Sequence, residues 1–589
     1  MKPAGSLIKK LFLCLFFATP LIFTLFNSEL FELPKMYFVY FVTILILTLH
    51  FYNYFLGFQP LIRRTRLSIP LFIFLLSQIV STFFSADPHT SIFGYYSRLN
   101  GGLLSLISYF VLYQVLVVYV DEKFKKQIIN TSLISGFLIA SFGILEHFGI
   151  DQKYWVQDVQ NRVFSTLGQP NWLAAYLCIL ICFSFCSIHN TYYLLLTTIL
   201  TLCLIYTKSK SGIIAALISL PFCLNKKNFY YFFVVIAITA FFFLNKKIPT
   251  ATPTTLNITA SSDIRKIVWQ GALKLFSQHP LVGTGPETFA YTYYWVRPLS
   301  HNLTSEWEFL YNKAHNEYLN YLATTGVFGF LSYIAVILTS LYLLFKFPIF
   351  LAAYLSILIT NFAGFSVVIT SIYFFLLPAL IETPLDTTKH PTKNKLILIP
   401  LVLVSFLLIK NIVSFYLADI AHNQGYDSSA IALNPYEPLY FSQLALQYSQ
   451  DGKINEALMN TNIAYRISPL NINILKERAQ TFLYLAYKEP KYFNKALETL
   501  VQITKLAPTD AKTFQTIGQL YQAANLNDDA IIFFEKAIQL KSNYDDAHFA
   551  LAKIYIDQKD FEKAKYHLNE TLRIAPNNQE AKSLLSSLH

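Results

Sequence analysis

The stretch Ala314-His315-Asn316-Glu317-Tyr318 runs directly into an apolar helix signal, Tyr318 to Tyr333, that carries Gly326 and Gly329. Upstream stand Arg265 and the run Pro280-Leu281-Val282-Gly283-Thr284-Gly285-Pro286. A polar stretch between long hydrophobic ones belongs at a membrane surface, with a helix descending from it. A single histidine at the mouth of a helix is more often structural than chemical. His315 therefore takes its meaning from what else the chain brings to the same side.

The 589 residues are 54% hydrophobic and only 14% charged, against roughly a quarter charged in soluble domains. Mean hydropathy is +0.42, so most of the chain is expected in lipid. The net charge of +12 raises nucleic acid as a partner. Lys and Arg are instead scattered through short loops, as in membrane proteins, and no basic patch interleaved with aromatic residues appears, so no nucleic-acid partner is expected. Cys178, Cys182 and Cys186 have helical spacing, but thiols in apolar runs without His or carboxylate neighbours read as small apolar filler rather than metal ligands. No metal and no cofactor is expected.

Apolar stretches long enough to cross a bilayer recur near 11–27, 36–58, 68–84, 102–120, 127–149, 171–187, 192–207, 211–224, 229–244, 319–345, 348–364, 368–381 and 396–417. The first has the charge pattern of a signal peptide but no convincing cleavage site, and reads as a retained span. Residues 348–381 are apolar for 34 residues. As one helix they would be about 50 Å long, too long for a hydrocarbon core of about 30 Å. They are expected to break between Asn361 and Ser366, helped by Gly364. Basic residues at Lys9-Lys10, Arg63-Arg64-Arg66, Lys123-Lys125-Lys126, Lys226-Lys227 and Lys346 fall on alternate loops. They put the N-terminus in the cytoplasm, although Lys208, Lys210, Lys246 and Lys247 run against that rule.

The opposite loops are then outside, where chemistry has room to sit. They carry Tyr95-Tyr96-Ser97-Arg98, Arg162 with Gly168-Gln169-Pro170-Asn171-Trp172-Leu173-Ala174, Ser209-Lys210-Ser211-Gly212, and the large segment 245–318 with Arg265, Arg297 and His315. Any one outward arginine is most simply a contact to lipid headgroups. Three of them, Arg98, Arg162 and Arg265, suggest a bound phosphate or diphosphate, because the guanidinium fork matches phosphate oxygens. Lys208 and Lys210 add to the same field. Among the outer carboxylates, Glu287, Glu306, Glu308 and Glu317, no two are marked as a glycosidase-type pair.

Beyond residue 418 the composition turns polar and a repeat emerges. Pro435, Pro469, Pro508, Ser542 and Pro576 stand 34, 39, 34 and 34 residues apart, so one repeat holds five extra residues, expected at Lys488-Glu489-Pro490. Small residues such as Gly518, Ala530 and Ala537 alternate with Phe514, Tyr521 and Phe534 at fixed places. This is the tetratricopeptide pattern, whose stacked helix pairs are usually a binding scaffold. The expected fold is all-α: a polytopic membrane helix bundle of about 12 to 13 spans over residues 1–417, with the outer loop 245–318, followed by a tetratricopeptide solenoid over 418–589. Thirteen spans would place the solenoid outside the cytoplasm.

Over roughly residues 70 to 380 the membrane part resembles the O-antigen ligase and O-antigen polymerase superfamily. The resemblance rests on the Arg162 and Gly168–Ala174 motif, Ser209–Gly212, Arg265 with Trp269 and Pro280–Pro286, and His315-Asn316-Glu317-Tyr318 with Gly326 and Gly329. Gln169 stands where the family commonly has Asn, and Lys210 where it often has Arg. The resemblance implies transfer of a glycan from undecaprenyl diphosphate on the outer side of the cytoplasmic membrane. It implies that Arg162 and Arg265 hold the diphosphate and that His315 takes a proton from, or positions, the acceptor hydroxyl, without a metal. Arg98, Lys210, Asn171 and Asn316 are further candidates for substrate binding. The acceptor stays open between a glycolipid, a second lipid-linked glycan and a protein, and a protein partner is expected on the repeats. A transporter or a membrane scaffold is the reading from other classes. Transporters place ionisable residues near the membrane midplane, whereas these spans hold few.

Overall fold

The computed structural model describes residues 3–185, 188, 190–224, 229–230, 259–382, 385 and 394–588. Among the described residues every regular element is a helix. Four helices among the described residues are long and apolar enough to cross a membrane: Glu32–Phe55, Glu122–His147, Glu317–Leu344 and Lys395–Asn423. Shorter apolar helices accompany them, among them Ser68–Phe83, Leu103–Tyr119, Pro170–Phe185, Thr191–Tyr206 and Pro348–Phe362. The expected span at 229–244, the lysines at 226, 227, 246, 247, 389 and 393, and Cys186 lie outside the described residues, except for the first two residues of that span.

The long apolar stretch after residue 348 does break. Pro348–Phe362 ends and Val368–Leu376 begins after an irregular turn. The turn is pinned by polar side chains: Asn361 Nδ2 donates to Ser366 Oγ at 2.9 Å, Asn100 Nδ2 to the Ser366 carbonyl at 3.1 Å, and the Val368 N–H to Glu32 at 2.7 Å. Non-helical backbone surrounded by apolar helices needs such partners.

The chain forms two compact units. The first comprises residues 1–252, 279–288 and 315–435. Its helices hide Ser, Thr and Tyr inward and show apolar side chains outward, as Ile69, Phe72, Ile73, Leu76 and Phe83 do on Ser68–Phe83. Such a surface suits hydrocarbon rather than water. Its connections sort to two ends. At one end the Leu385 N–H meets the Arg64 carbonyl, Glu382 accepts from the Arg66 N–H, and Lys125 lies over Phe347. At the other, buried Asp419 accepts from Asn27, Ser28 and Tyr96, and the Ala86 N–H donates to Thr284.

The second unit comprises residues 253–278, 289–314 and 436–589. Helix pairs Pro438–Gln450/Ile454–Ile467, Ile472–Ala486/Lys491–Leu506, Ala511–Ala523/Asn527–Leu540 and Asp545–Asp557/Phe561–Ile574 stack as tetratricopeptide repeats, and Gln579–Ser587 follows them. The small residues sit where two helices touch: Ala457, Ala464, Ala530, Ala537, Ala552 and Ala564 are fully buried, and Gly518 faces Phe534. The five extra residues are not confined to Lys488-Glu489-Pro490. The second pair has helices of 15 and 16 residues where its neighbours have 13 and 14, and its turn gains one. Lengthening both helices by half a turn preserves their contact, which a bulge in the turn alone would not require.

Candidate functional site

In the first unit the site grows from three irregular segments. Residues 94–102 form a tight loop in which the Arg98 and Leu99 N–H groups both donate to the Tyr95 carbonyl. This turns Arg98 inward: its guanidinium carbon lies 5.0 Å from the Trp172 ring centroid and 4.8 Å from that of Phe365. Phe365 comes from the break between Pro348–Phe362 and Val368–Leu376. His315 packs edge-on against the same ring at 5.5 Å. Burial pulls the Arg98 guanidinium below its ordinary value, and the carboxylates of Glu32, Glu29 and Glu287 push it back. The side chain stays charged. Its Nη1 is buried and has no hydrogen-bond partner among the described residues.

Asn316 caps the helix Glu317–Leu344, its Oδ1 accepting from the Leu319 N–H at 3.1 Å. This fixes where the helix starts, and His315 sits just before it with φ +52°. The helix is broken at Gly326 (φ +64°), and the break receives Pro280–Pro286. The Gly285 N–H donates to Thr324 at 2.8 Å, and the Val327 N–H to Pro280 at 2.8 Å. A Cβ on Gly326 would lie 2.3 Å from the Leu281 carbonyl oxygen, and one on Gly283 2.2 Å from that of Thr324. The glycines of this motif permit backbone-to-backbone pairing, which ties Pro280–Pro286 to the helix that His315 precedes.

The Gly168–Ala174 motif opens the helix Pro170–Phe185, and Ser209 caps Lys210–Ser219. The two starts touch: Ser209 Oγ donates to Asn171 Oδ1 at 2.8 Å, and a Cβ on Gly212 would lie 2.6 Å from the Ala174 Cβ. Arg162 Nε donates to the Thr207 carbonyl at 3.2 Å, while Arg162 and Lys210 remain exposed. The loop bearing Arg162 is clamped from below. Glu146 accepts the N–H groups of Phe164 and Ser165, and buried Lys35 donates to the Thr166 carbonyl at 2.9 Å.

Arg98 and His315 thus converge with Trp172, and Asn171 joins Ser209 in the same motif pair. Arg265 belongs to the second unit. It lies on the helix Ser261–Gln278, half-buried; burial lowers its guanidinium, and Tyr311 and Glu306 raise it again. Tyr311 donates to Glu306. Phe365 was missed by the sequence reading. Its signal is the break in a span that is too long for one crossing. Another signal lies in the backbone: of the positive-φ residues other than glycine among the described residues, Leu99, Ser165, Lys208, Glu287 and His315 all fall in or beside these motifs. Strained backbone of this kind gathers at functional sites.

Comparison with known proteins agrees with the motifs. Residues 194–334 match the family described as O-antigen ligase, and residues 522–588 the family described as tetratricopeptide repeat. Residues 194–334 are therefore similar to O-antigen ligases, and the C-terminal residues form tetratricopeptide repeats. Similar curated proteins include anaphase-promoting complex subunit CDC16 of Saccharomyces cerevisiae, 27% identical over 24% of this chain and 17% of that protein. Another is ycf37 of Porphyra purpurea, an uncharacterized protein, 33% identical over 15% of this chain and 58% of that one. The chain thus spans less than two thirds of the length of either relative. Among solved structures, a thermophilic tetratricopeptide protein of Thermus thermophilus is 19% identical with a TM-score of 0.23, over 30% of this chain and 98% of that one.

Proposed function

From an O-antigen ligase domain joined to tetratricopeptide repeats, we infer a glycosyltransferase of the cytoplasmic membrane. It moves a glycan from undecaprenyl diphosphate to an acceptor on the outer side. The observation that carries this reading is the cluster of Arg98, Trp172, Phe365 and His315: a buried cation with an unfilled donor that shares the Phe365 ring with an imidazole on a strained turn.

The chemistry asks little more. A sugar on a diphosphate already has its leaving group, so the site must orient the acceptor, receive its proton and neutralise charge on the departing phosphate. His315 takes the acceptor hydroxyl proton, an imidazole being matched to neutral pH. The acceptor oxygen attacks the anomeric carbon from the face opposite the diphosphate, and the bond to the diphosphate oxygen breaks. The electron pair leaves with the lipid diphosphate, whose charge Arg98, Arg162 and Arg265 receive. One displacement inverts the anomeric centre and needs neither metal nor carboxylate nucleophile. Asn171, Lys210 and Asn316 bind or orient substrate at the rim.

The outer side is part of the same reading. The sorting of polar connections to two ends of the first unit supports alternating loops. The packing of residues 289–314 on the repeats within the second unit supports a solenoid on the same side as the large loop. Proteoliposomes charged with lipid-diphosphate-linked glycan test the activity, and product analysis assigns the acceptor. A ladder on the carrier lipid marks a polymerase, sugar on protein a protein ligase, and sugar on a glycolipid a glycolipid ligase. Carrier lipid that returns unaltered with every acceptor class contradicts the reading.

A further inference from the structure

Tetratricopeptide solenoids usually offer their inner helices to another protein. In the second unit this chain's own loop meets the turns between repeats and the first part of the helix Ile472–Ala486. Asn302, fully buried, donates through Nδ2 to the Thr509 carbonyl at 2.8 Å and the Leu540 carbonyl at 3.0 Å, bridging two successive turns between repeats. Arg297, 4% exposed, donates to Thr509 at 3.1 Å and to Asn302 Oδ1 at 2.9 Å. The Asp510 carboxylate lies 3.7 Å away, itself held by Lys476 at 2.8 Å. Lys541 donates to the Asn302 carbonyl and lies 4.6 Å over the Trp307 ring, which also packs on Tyr544. Tyr294 enters the apolar core formed by Ile472, Leu475, Leu500 and Ile517. These contacts combine apolar burial with buried hydrogen bonds across the loop and the repeats, as a permanent interface does.

The same segment holds the helix before it. Gly271 on Ser261–Gln278 is so close to Tyr293 that a Cβ would lie 2.4 Å from the ring, and Tyr293 shares a 3.1 Å hydrogen bond with His301. Tyr311 and Glu306, from the docked segment, set the electrostatic surroundings of Arg265. A continuous chain of contacts thus runs from the turns of the solenoid to Arg265.

We propose that the repeat solenoid acts in cis, as the platform that holds the outer-loop helix Ser261–Gln278 and so keeps Arg265 in place for the donor. Arg297 and Asn302 are positioning residues; they touch no substrate. The proposal rests on the reading of Arg265 as a donor ligand, and its test separates the two. Hydrogen exchange is followed on the full-length protein in nanodiscs for Arg297→Ala on the loop side and Asp510→Asn on the solenoid side. The amides of Ser261–Gln278 should exchange roughly tenfold faster or more in both variants, with the helices of the first unit unchanged and Arg297→Lys in between. The donor KM should rise with little change in kcat. Exchange that stays at the parent rate in both variants overturns the platform. Faster exchange with an unchanged donor KM overturns the positioning role, provided Arg265→Ala itself raises that KM. If Arg265→Ala leaves it unchanged, the donor reading of Arg265 is what has failed.

Discussion

Arg98 and His315 share one aromatic partner: the guanidinium carbon of Arg98 and the ring of His315 lie 4.8 Å and 5.5 Å from the centroid of Phe365. In the proposed function, the cation for the leaving phosphate and the base for the acceptor would both be set by this one side chain. That side chain is delivered by the turn that divides residues 348–381.

Arg98→Lys should weaken donor binding although the charge survives. Lysine keeps a point charge but loses the planar fork and its stacking on Trp172 and Phe365. We expect the donor KM to rise roughly tenfold, the loss of about one charge-assisted hydrogen bond, with a smaller change in kcat. If Arg98→Lys binds donor like the parent while Arg265→Lys does not, Arg98 leaves the site.

Gly326→Ala should destabilise the first unit. Both the positive φ and the 2.3 Å approach to Leu281 oppose a Cβ, and we expect a loss on the order of 3 kcal/mol. Gly425 provides the comparison: its φ is +82°, yet a Cβ there would meet nothing within 4 Å. Gly425→Ala should therefore cost only about 1 kcal/mol, the backbone contribution. Equal shifts in thermal midpoint for the two variants would mean that the pairing of Pro280–Pro286 with the broken helix does not depend on close approach.

Acid should loosen the docked loop. Burial first, and the Arg297 charge second, push His301 down to about 4. In the unfolded chain an imidazole binds its proton near 6.5. Between these values the unfolded state holds more protons than the folded one, so stability falls as pH drops from about 6.5 to about 4, by at most about 3 kcal/mol. Above that window the contribution is flat. His301→Gln should remove this part of the slope in pH-dependent unfolding of the loop, followed by proteolysis.

Much of the fold is legible in the sequence because length and period carry it. The apolar runs give the helices, and the excess length of 348–381 gives its break. The repeat spacing gives the solenoid, though not the distribution of its five extra residues over two helices and a turn. The site is legible only as separate motifs. Nothing in residue type says that Phe365 meets both Arg98 and His315, since that contact is tertiary. Neither do Leu99, Glu287 and His315 advertise their positive φ. Arg297 reads as one more outer arginine, yet its partners Thr509 and Asp510 lie more than two hundred residues away, beyond the reach of any local pattern.

The side occupied by the repeats has its own test. A reporter active only in the oxidising outer compartment, fused after His589, should be active, and a cytoplasmic reporter at the same point silent. The reverse result would make residues 348–381 a single crossing or a re-entrant segment, despite the turn between Phe362 and Val368.

The most direct measurement is the rate of glycan transfer in proteoliposomes carrying either the parent chain or His315→Ala, with lipid-diphosphate-linked glycan at saturating concentration. Loss of a general base costs about a hundredfold to ten-thousandfold in rate, so His315→Ala should transfer at about 1% of the parent rate or less, while still binding donor. Transfer by His315→Ala as fast as by the parent would contradict the account.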